Sequence, residues 1–161
     1  MSFQQSLNTG NYWEEFIASR LLINRCPIWH PRQTEAECRG SFQENQTDLV
    51  TYVDGRWQAL EVKSRKEPFD DVRKFPYPLI AVGSVEHWEA IRFQVYALIV
   101  VSQVTGVWGW VDYSQTRPLW QKRRLNDLAY CVPRTLFRRP SLLIQCLNIQ
   151  VQSLPELCHP E

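Results

Sequence analysis

The sequence predicts a single α/β domain in which a mixed β-sheet is flanked by helices. Three observations predict this class: an amphipathic helical pattern near the start, a β-hairpin signal in the middle, and a later run that is apolar on both faces. The length of 161 residues suits one domain. A hydrophobic fraction of 44% and a charged fraction of 22% exclude disordered, collagen-like and coiled-coil chains.

The first predicted helix begins near Thr9–Asn11 and runs to about Asn24, with Thr9 or Asn11 as its N-cap. Leu22 lies beside an apolar face whose members recur at helical spacing, namely Trp13, Phe16, Ile17 and Leu21. The chain after this helix is predicted to be extended from Cys26 to Trp29, because a residue that precedes proline avoids the helical region. Residues 31–46 are polar and predict a loop.

A β-hairpin is predicted next. The β-rich runs Asp48–Val53 and Trp57–Arg65 are separated by Asp54-Gly55-Arg56. Asp-Gly between two such runs is the strongest short-range hairpin signal. Residues 66–77 combine charged residues with aromatic residues and two prolines, and they predict an exposed loop.

The second half of the chain predicts further elements in the order strand, helix, strand and strand. They are a short strand at Leu79–Val82, a helix capped by Ser84 that reaches about Phe93, a central strand at Tyr96–Ser102 covered on both faces, and a strand at Val107–Tyr113. After Pro118 we expect helical or irregular structure, with a last amphipathic stretch near Ser141–Gln152. Trp108 and Trp110 are expected in the core, and His87 on a helix surface.

Charge is unevenly distributed along the chain. The net charge is +1, but the segment from Arg117 to Arg139 has seven basic residues and one acid, so it carries +6 and the rest carries −5. This asymmetry indicates an edge that binds a polyanion.

The cysteines and the N-terminus exclude several classes of protein. Five cysteines without a Cys-x-x-Cys pair do not predict a disulfide framework or a zinc ribbon, and the spacing of Cys26, His30 and Cys38 is not that of a metal site. The first residues have neither a basic nor an apolar signal-peptide region, and the longest apolar run is Val95–Val101. We therefore expect a soluble, cytoplasmic protein with no membrane partner.

The candidate chemistry lies on the second strand of the hairpin. Side chains alternate along a strand, so Glu61 and Lys63 share one face, about 7 Å apart, while Leu60 and Val62 occupy the other. Asp48 is expected across from roughly residue 62. Two neighbouring carboxylates call for a cation, and a hard divalent ion beside a lysine is suited to hydrolysis of a phosphodiester. The alternative is a surface hairpin with solvated charge pairs, which the apolar Leu60 and Val62 disfavour.

The pattern Asp48-x12-Glu61-x-Lys63, with apolar residues around each part, resembles the PD-(D/E)xK nuclease superfamily. Thr47 stands where the motif has its proline, a position that varies widely in such enzymes. Many members add a glutamate on the first helix, and Glu14 or Glu15 could fill that place. Glu14 is preferred because Ile17 is a stronger core residue than Ala18.

The resemblance covers about residues 10–102 and implies a restriction-endonuclease-like fold. It also implies a Mg²⁺-dependent DNA nuclease, most simply an endonuclease of homing, restriction, resolvase or repair type, in which Mn²⁺ can replace Mg²⁺. Asp48 and Glu61 would bind the metal, Lys63 would position the attacking water, and Glu14 would support the metal site. The whole chain would be one nuclease domain, with a core at about 10–113 and a basic extension at 114–161.

DNA is the expected partner. The residues expected to contact it are basic, namely Lys66, Arg117, Lys122, Arg123 and Arg124. One active site cuts one strand, so cutting a duplex implies a homodimer or a higher oligomer. The rival hypothesis is a nuclease fold that binds nucleic acid or assembles with other proteins without cutting.

Overall fold

The computed structural model describes residues 3–31 and 47–149, with the backbone alone for residues 3–9. The elements in chain order are α1 (Phe3–Ile23), β1 (Ile28–Trp29), β2 (Leu49–Val53), β3 (Arg56–Arg65), β4 (Leu79–Ser84), α2 (Val85–Ala90), β5 (Val95–Ser102), β6 (Trp108–Asp112), α3 (Tyr113–Thr116), β7 (Gln121–Arg124), β8 (Leu128–Pro133) and α4 (Pro140–Ile149). Short 3₁₀ turns cover Val72–Lys74, Arg117–Leu119 and Arg134–Leu136.

The strands of the described residues form two sheets. The main sheet has five strands in the order β1-β2-β3-β5-β6, and the second sheet has three in the order β4-β8-β7. β3 and β5 are parallel, and the other neighbouring strands are antiparallel. A parallel pair needs a crossover, and the chain between β3 and β5 supplies it through β4 and α2. The predicted mixed α/β class is therefore confirmed.

The main sheet is covered on both faces. One face packs on α1 and α4, whose buried side chains include Ile17, Leu21, Leu143 and Leu147. The other face packs on the second sheet and α2. Residues of β5 alternate between the two cores, since Ile99 belongs to the first and Leu98 and Val100 to the second. This confirms the prediction that the strand is buried on both sides.

The hairpin forms around a two-residue turn. Asp54 and Gly55 have positive φ angles of 54° and 75°, the arrangement that the Asp-Gly pair favours in type I′ turns. Val53 pairs with Arg56 beside the turn, and Leu49 pairs with Leu60 at the other end of β2. The strand β3 therefore begins at Arg56, one residue earlier than predicted. Asp48 is a bend residue that precedes β2, and by this register it lies next to Glu61 rather than across from residue 62.

The start of α1 was wrongly predicted. The helix begins at Phe3, so Thr9 and Asn11 lie inside it and cannot be its N-cap. Residues 3–9 contain no proline, and Gly10 lowers the stability of a helix by only about 1 kcal/mol. Neither feature therefore prevents the helix from beginning at Phe3. Leu22 is exposed although it adjoins the buried face formed by Ile17 and Leu21.

The chain between Pro118 and Pro133 was also wrongly predicted, whereas the amphipathic stretch expected from Ser141 forms α4 as far as Ile149. Instead of helical or irregular structure, the first of these segments forms β7 and β8, and β8 pairs with β4. Tyr130 and Val132 of β8 are buried in the second core, whereas β7 is an exposed edge strand whose basic residues hide the strand pattern. Since α4 also completes the first core, residues 114–149 are integral to the fold rather than an extension.

Other boundaries differ in smaller ways. The 66–77 loop is anchored by three buried side chains, Phe69, Val72 and Phe75, and is not simply exposed. The helix that Ser84 caps ends at Ala90 instead of Phe93. Residues 32–46 of the predicted loop, Cys38, and the end of the predicted last helix lie outside the described residues. None of the described helices is long and apolar enough to cross a membrane.

Candidate active site at the end of β3

The strand β3 fixes the positions of Glu61 and Lys63. Leu60 and Val62 are buried in the core beneath α1, so the alternation of the strand directs Glu61 and Lys63 to the opposite face. Glu61 is only 2% exposed, whereas Lys63 is partly exposed. The parallel neighbour β5 pairs residue by residue with this part of β3 and holds its backbone.

Asp48 is fixed across the ladder by a backbone hydrogen bond. The Val62 N–H donates to Asp48 Oδ2 at 2.8 Å. The bend that precedes β2 therefore brings the Asp48 carboxylate to the end of β3, beside Glu61.

Thr47 orients the buried glutamate. Its hydroxyl donates to Glu61 Oε1 at 2.9 Å, and the residue is itself only 6% exposed. Thr47 occupies the place of the proline in the motif, and the sequence alone assigned it no role. No sequence motif could have predicted this contact, because it depends on how the two strands pair.

The helix α1 contributes one glutamate to the same place. The Glu14 carboxyl lies within hydrogen-bonding reach of the Asp48 carboxyl and within electrostatic range of Glu61 and Lys63. Glu15 is exposed and lines a groove with Phe16 and Ser19 instead. The geometry therefore distinguishes the two candidates that the sequence left open, and it places Glu14 in the cluster.

We call Glu14, Asp48 and Glu61 the carboxylate cluster. Burial and repulsion from Asp48 raise the pKa values of Glu14 and Glu61. Burial raises the pKa of Glu14 to about 8, and the neighbouring Asp48 adds to the rise. Burial and Asp48 likewise raise the pKa of Glu61 to about 8, while Lys63 and the Thr47 hydrogen bond oppose the change. Glu14 and Glu61 therefore retain protons near neutral pH. A metal ion that bound the same carboxylate oxygens would displace these protons.

The donor atoms of the cluster suit a hard divalent cation. They are carboxylate oxygens, and Mg²⁺ commonly takes one or two carboxylates together with several waters. No group of three or more His, Cys, Asp or Glu side chains in residues 3–31 and 47–149 is arranged to chelate an ion. A site built from Asp48 and Glu61, with water completing the coordination, does not require a third protein ligand.

Lys63 lies beside a glycine of β4. Its Nζ is 6.0 Å from the centroid of the Trp88 ring. Gly83 has a φ of +130°, and a Cβ there would lie 3.1 Å from Trp88 Nε1 and 3.9 Å from Lys63 Cε. The Trp88 indole donates to the Val82 carbonyl at 3.0 Å, so it cannot easily move. Glycine at this position thus leaves space for the indole and for Lys63.

His87 is a neighbour of the cluster that the sequence did not assign to the site. Its Nε2 lies 4.0 Å from Glu61 Oε2, and the side chain is 44% exposed. Ser84 caps α2 by accepting the His87 N–H, which fixes the residue at the rim. Burial and the charge of Lys63 lower the pKa of His87. It is on a helix surface, as expected, but at the surface that borders the carboxylates.

The five basic residues that were expected to contact DNA have different environments. Lys66 is exposed just after β3. Arg117 stacks over the Tyr130 ring at 4.1 Å, and Lys122 pairs with Glu89 at 3.3 Å. Arg123 and Arg124 are exposed on β7 and form no ion pair with another described residue. Lys66, Arg123 and Arg124 are therefore the exposed members of the five that form no ion pair with a described residue.

The site combines buried carboxylates, a nearby ammonium and an open rim. Trp108 and Trp110 are buried, as predicted, and do not face it. Comparisons with protein-family models, with curated proteins and with solved structures find no match for this chain. A functional assignment therefore depends on the residues at the end of β3.

Proposed function

We propose that the protein is a metal-dependent DNA nuclease, most simply an endonuclease, with its active site at the end of β3. One observation carries the proposal: the carboxylates of Asp48 and Glu61, from adjacent strands, converge with Lys63 on one face of the sheet. Glu14 joins them from α1. Charge pairing alone does not explain the cluster, because in the described residues Lys63 forms no ion pair with any of these three carboxylates.

The architecture supports a restriction-endonuclease-like fold. Apart from the two-residue β1 and the strand β4 of the second sheet, the chain order α1, β2, β3, α2 and β5 is the order of helix, Asp-strand, Glu-x-Lys strand, helix and strand that the resemblance implies. The two motif strands are adjacent, and the first core lies directly beneath them. Thr47 replaces the proline of the motif with a hydroxyl that orients Glu61.

Each residue has a role that its position suits. Asp48 and Glu61 would bind Mg²⁺ or Mn²⁺, and the metal would stabilise negative charge on a phosphate oxygen. Lys63 is partly exposed, so its ammonium can orient the attacking water and approach the scissile phosphate. Glu14 supports Asp48 from within hydrogen-bonding reach. Cutting both strands of a duplex would take a homodimer or a higher oligomer.

A plasmid-nicking assay tests the proposal. We expect supercoiled DNA to be nicked in Mg²⁺ and not in EDTA. Asp48→Asn and Glu61→Gln should each reduce the rate by about 100-fold or more, because metal stabilisation of charge contributes several kcal/mol. Glu15→Gln is the matched control, since Glu15 is exposed and outside the cluster. Binding of DNA without any metal-dependent nicking would favour the non-cutting alternative.

A further inference from the structure

A second concave site lies on the outer face of the second sheet. We call it the outer cavity: it has a volume of about 440 Å³, and its lining includes Arg65, Phe75, Tyr77, Leu79, Arg123 and Arg124. This volume is within the usual range for small-ligand sites, about 300–1,000 Å³. The lining of the cavity combines a mostly apolar surface with three arginines.

Arg65 brings a positive charge to the cavity without an anionic partner in contact. Its Nε and Nη2 donate to the Ala81 carbonyl, and Nη1 donates to the Ser64 carbonyl. In the described residues it forms no ion pair with a carboxylate. Glu67 is the single acid among the lining residues, against three arginines. The outer cavity therefore complements an anion.

Tyr77 provides an aromatic surface at the mouth of the cavity. It is 60% exposed and meets the buried Phe75 edge-on at a centroid distance of 6.1 Å. Arg123 and Arg124 approach from the edge strand β7. An exposed aromatic ring beside arginines is the combination that binds unpaired bases by stacking while it neutralises their phosphates.

The outer cavity and the candidate active site are linked through the strand β3, because Arg65 lines the cavity and lies two residues after Lys63. Arg65 is on the same face of β3 as Glu61 and Lys63, and β4 runs along this face, with Gly83 near Lys63 and Ala81 bonded to Arg65. At about 3.3 Å per residue, Arg65 is about 13 Å from Glu61 along the strand. At about 3.4 Å per nucleotide along a strand, this separation along β3 corresponds to roughly 4 nucleotides.

We propose that the outer cavity binds an unpaired nucleobase of the same strand that the site at β3 cuts, with the base against Tyr77 and its phosphate near the arginines. The inference deepens the proposed function and depends on it: the substrate class becomes nucleic acid with an unpaired base close to the cut, as in a gap, a flap or a mismatch. A fully paired duplex presents no base to the cavity, because its bases are stacked inside the helix.

The test measures binding of labelled single strands by fluorescence anisotropy in EDTA, with the full chain. Tyr77→Ala should weaken binding by about 5- to 150-fold, the range for loss of one base–aromatic stack. Tyr12→Ala is the matched control, since Tyr12 is also 60% exposed but is on α1. Tyr77→Phe keeps the ring and should bind like the wild type.

An abasic scan changes the nucleic acid instead of the protein and gives a second measurement. Removing a single base at one position should weaken binding by the wild-type protein by the same factor, and it should not weaken binding by Tyr77→Ala further. A scan without a preferred position, or equal losses in Tyr77→Ala and Tyr12→Ala, would overturn the cavity proposal. A position-specific loss, without Mg²⁺-dependent cleavage of either the plasmid or a labelled duplex that carries an unpaired flap, would instead uphold the cavity and overturn the nuclease.

Discussion

At the scale of single residues, Lys63 is the group most directly tied to the chemistry. It is the one cation that acts on both Glu14 and Glu61, and its ammonium remains partly exposed. Lys63→Ala should reduce nicking by about 100- to 1,000-fold, the usual cost of removing one donor that stabilises a transition state. Affinity for DNA should stay within a few-fold, since it comes from many phosphate contacts.

The Lys63→Ala experiment needs a folding control. Circular dichroism and the thermal midpoint serve as the folding control, because the side chain is not part of either core. Nicking at nearly the wild-type rate by a folded variant would remove Lys63 from the proposed mechanism. A parallel loss of nicking and of DNA affinity would assign it to substrate binding alone.

Thr47 is the residue whose role the structure adds. Thr47→Val preserves shape but removes the donor to Glu61 Oε1. We expect the free energy of unfolding to fall by about 1–3 kcal/mol, the cost of leaving a buried acceptor unsatisfied, and Mg²⁺ to be bound more weakly. Thr47→Ser keeps the hydroxyl and should resemble the wild type. Urea unfolding of the three proteins tests this, and equal stabilities would show that the hydrogen bond does not matter.

At the scale of elements, the sequence predicted those elements whose conformation depends on residues close together in the chain. The hairpin was predictable because Asp54 and Gly55 adopt positive φ, which few other residues tolerate. The strand β5 was predictable because it is apolar on both faces. The strand β7 was not, because an exposed edge strand of basic residues has no hydrophobic alternation.

The same distinction applies to the candidate site. Glu61 and Lys63 were placed together by the period of one strand. The contacts of Thr47 and His87 depend on how β2 and α2 pack against β3, which no spacing in the sequence encodes. The choice between Glu14 and Glu15 likewise depended on the orientation of α1, and packing decides that orientation.

The edge strand β7 carries a prediction of its own. Arg123→Ala combined with Arg124→Ala should weaken binding to all DNA sequences and reduce the slope of log affinity against log salt by roughly 2, about 0.9 per lost phosphate contact. Arg56→Ala is the control, since Arg56 is exposed at the hairpin turn, at the other end of β3. An unchanged slope in the double variant would remove β7 from the DNA-binding surface.

At the scale of the whole molecule, the carboxylate cluster couples stability to pH and to metal. Glu14 and Glu61 have a folded-state pKa of about 8, against an ordinary value of 4.5. As pH rises through this window, the unfolded chain releases these protons first while the folded chain retains them. The free energy that the protonated cluster contributes is therefore complete below about pH 4.5 and is lost as pH rises to about 8.

The metal-free protein should thus have a thermal midpoint that falls between pH 5 and pH 8, and Glu14→Gln should flatten that fall by removing one of the two groups. Mg²⁺ competes with the protons for the same oxygens, so it should raise the midpoint by several degrees at pH 8 and by much less at pH 5. Scanning calorimetry at both values of pH, with Mg²⁺ and with EDTA, measures this. A midpoint that responds equally to Mg²⁺ at pH 5 and pH 8, or a Glu14→Gln protein with the wild-type pH dependence, would show that the cluster neither stores protons nor exchanges them for a metal ion.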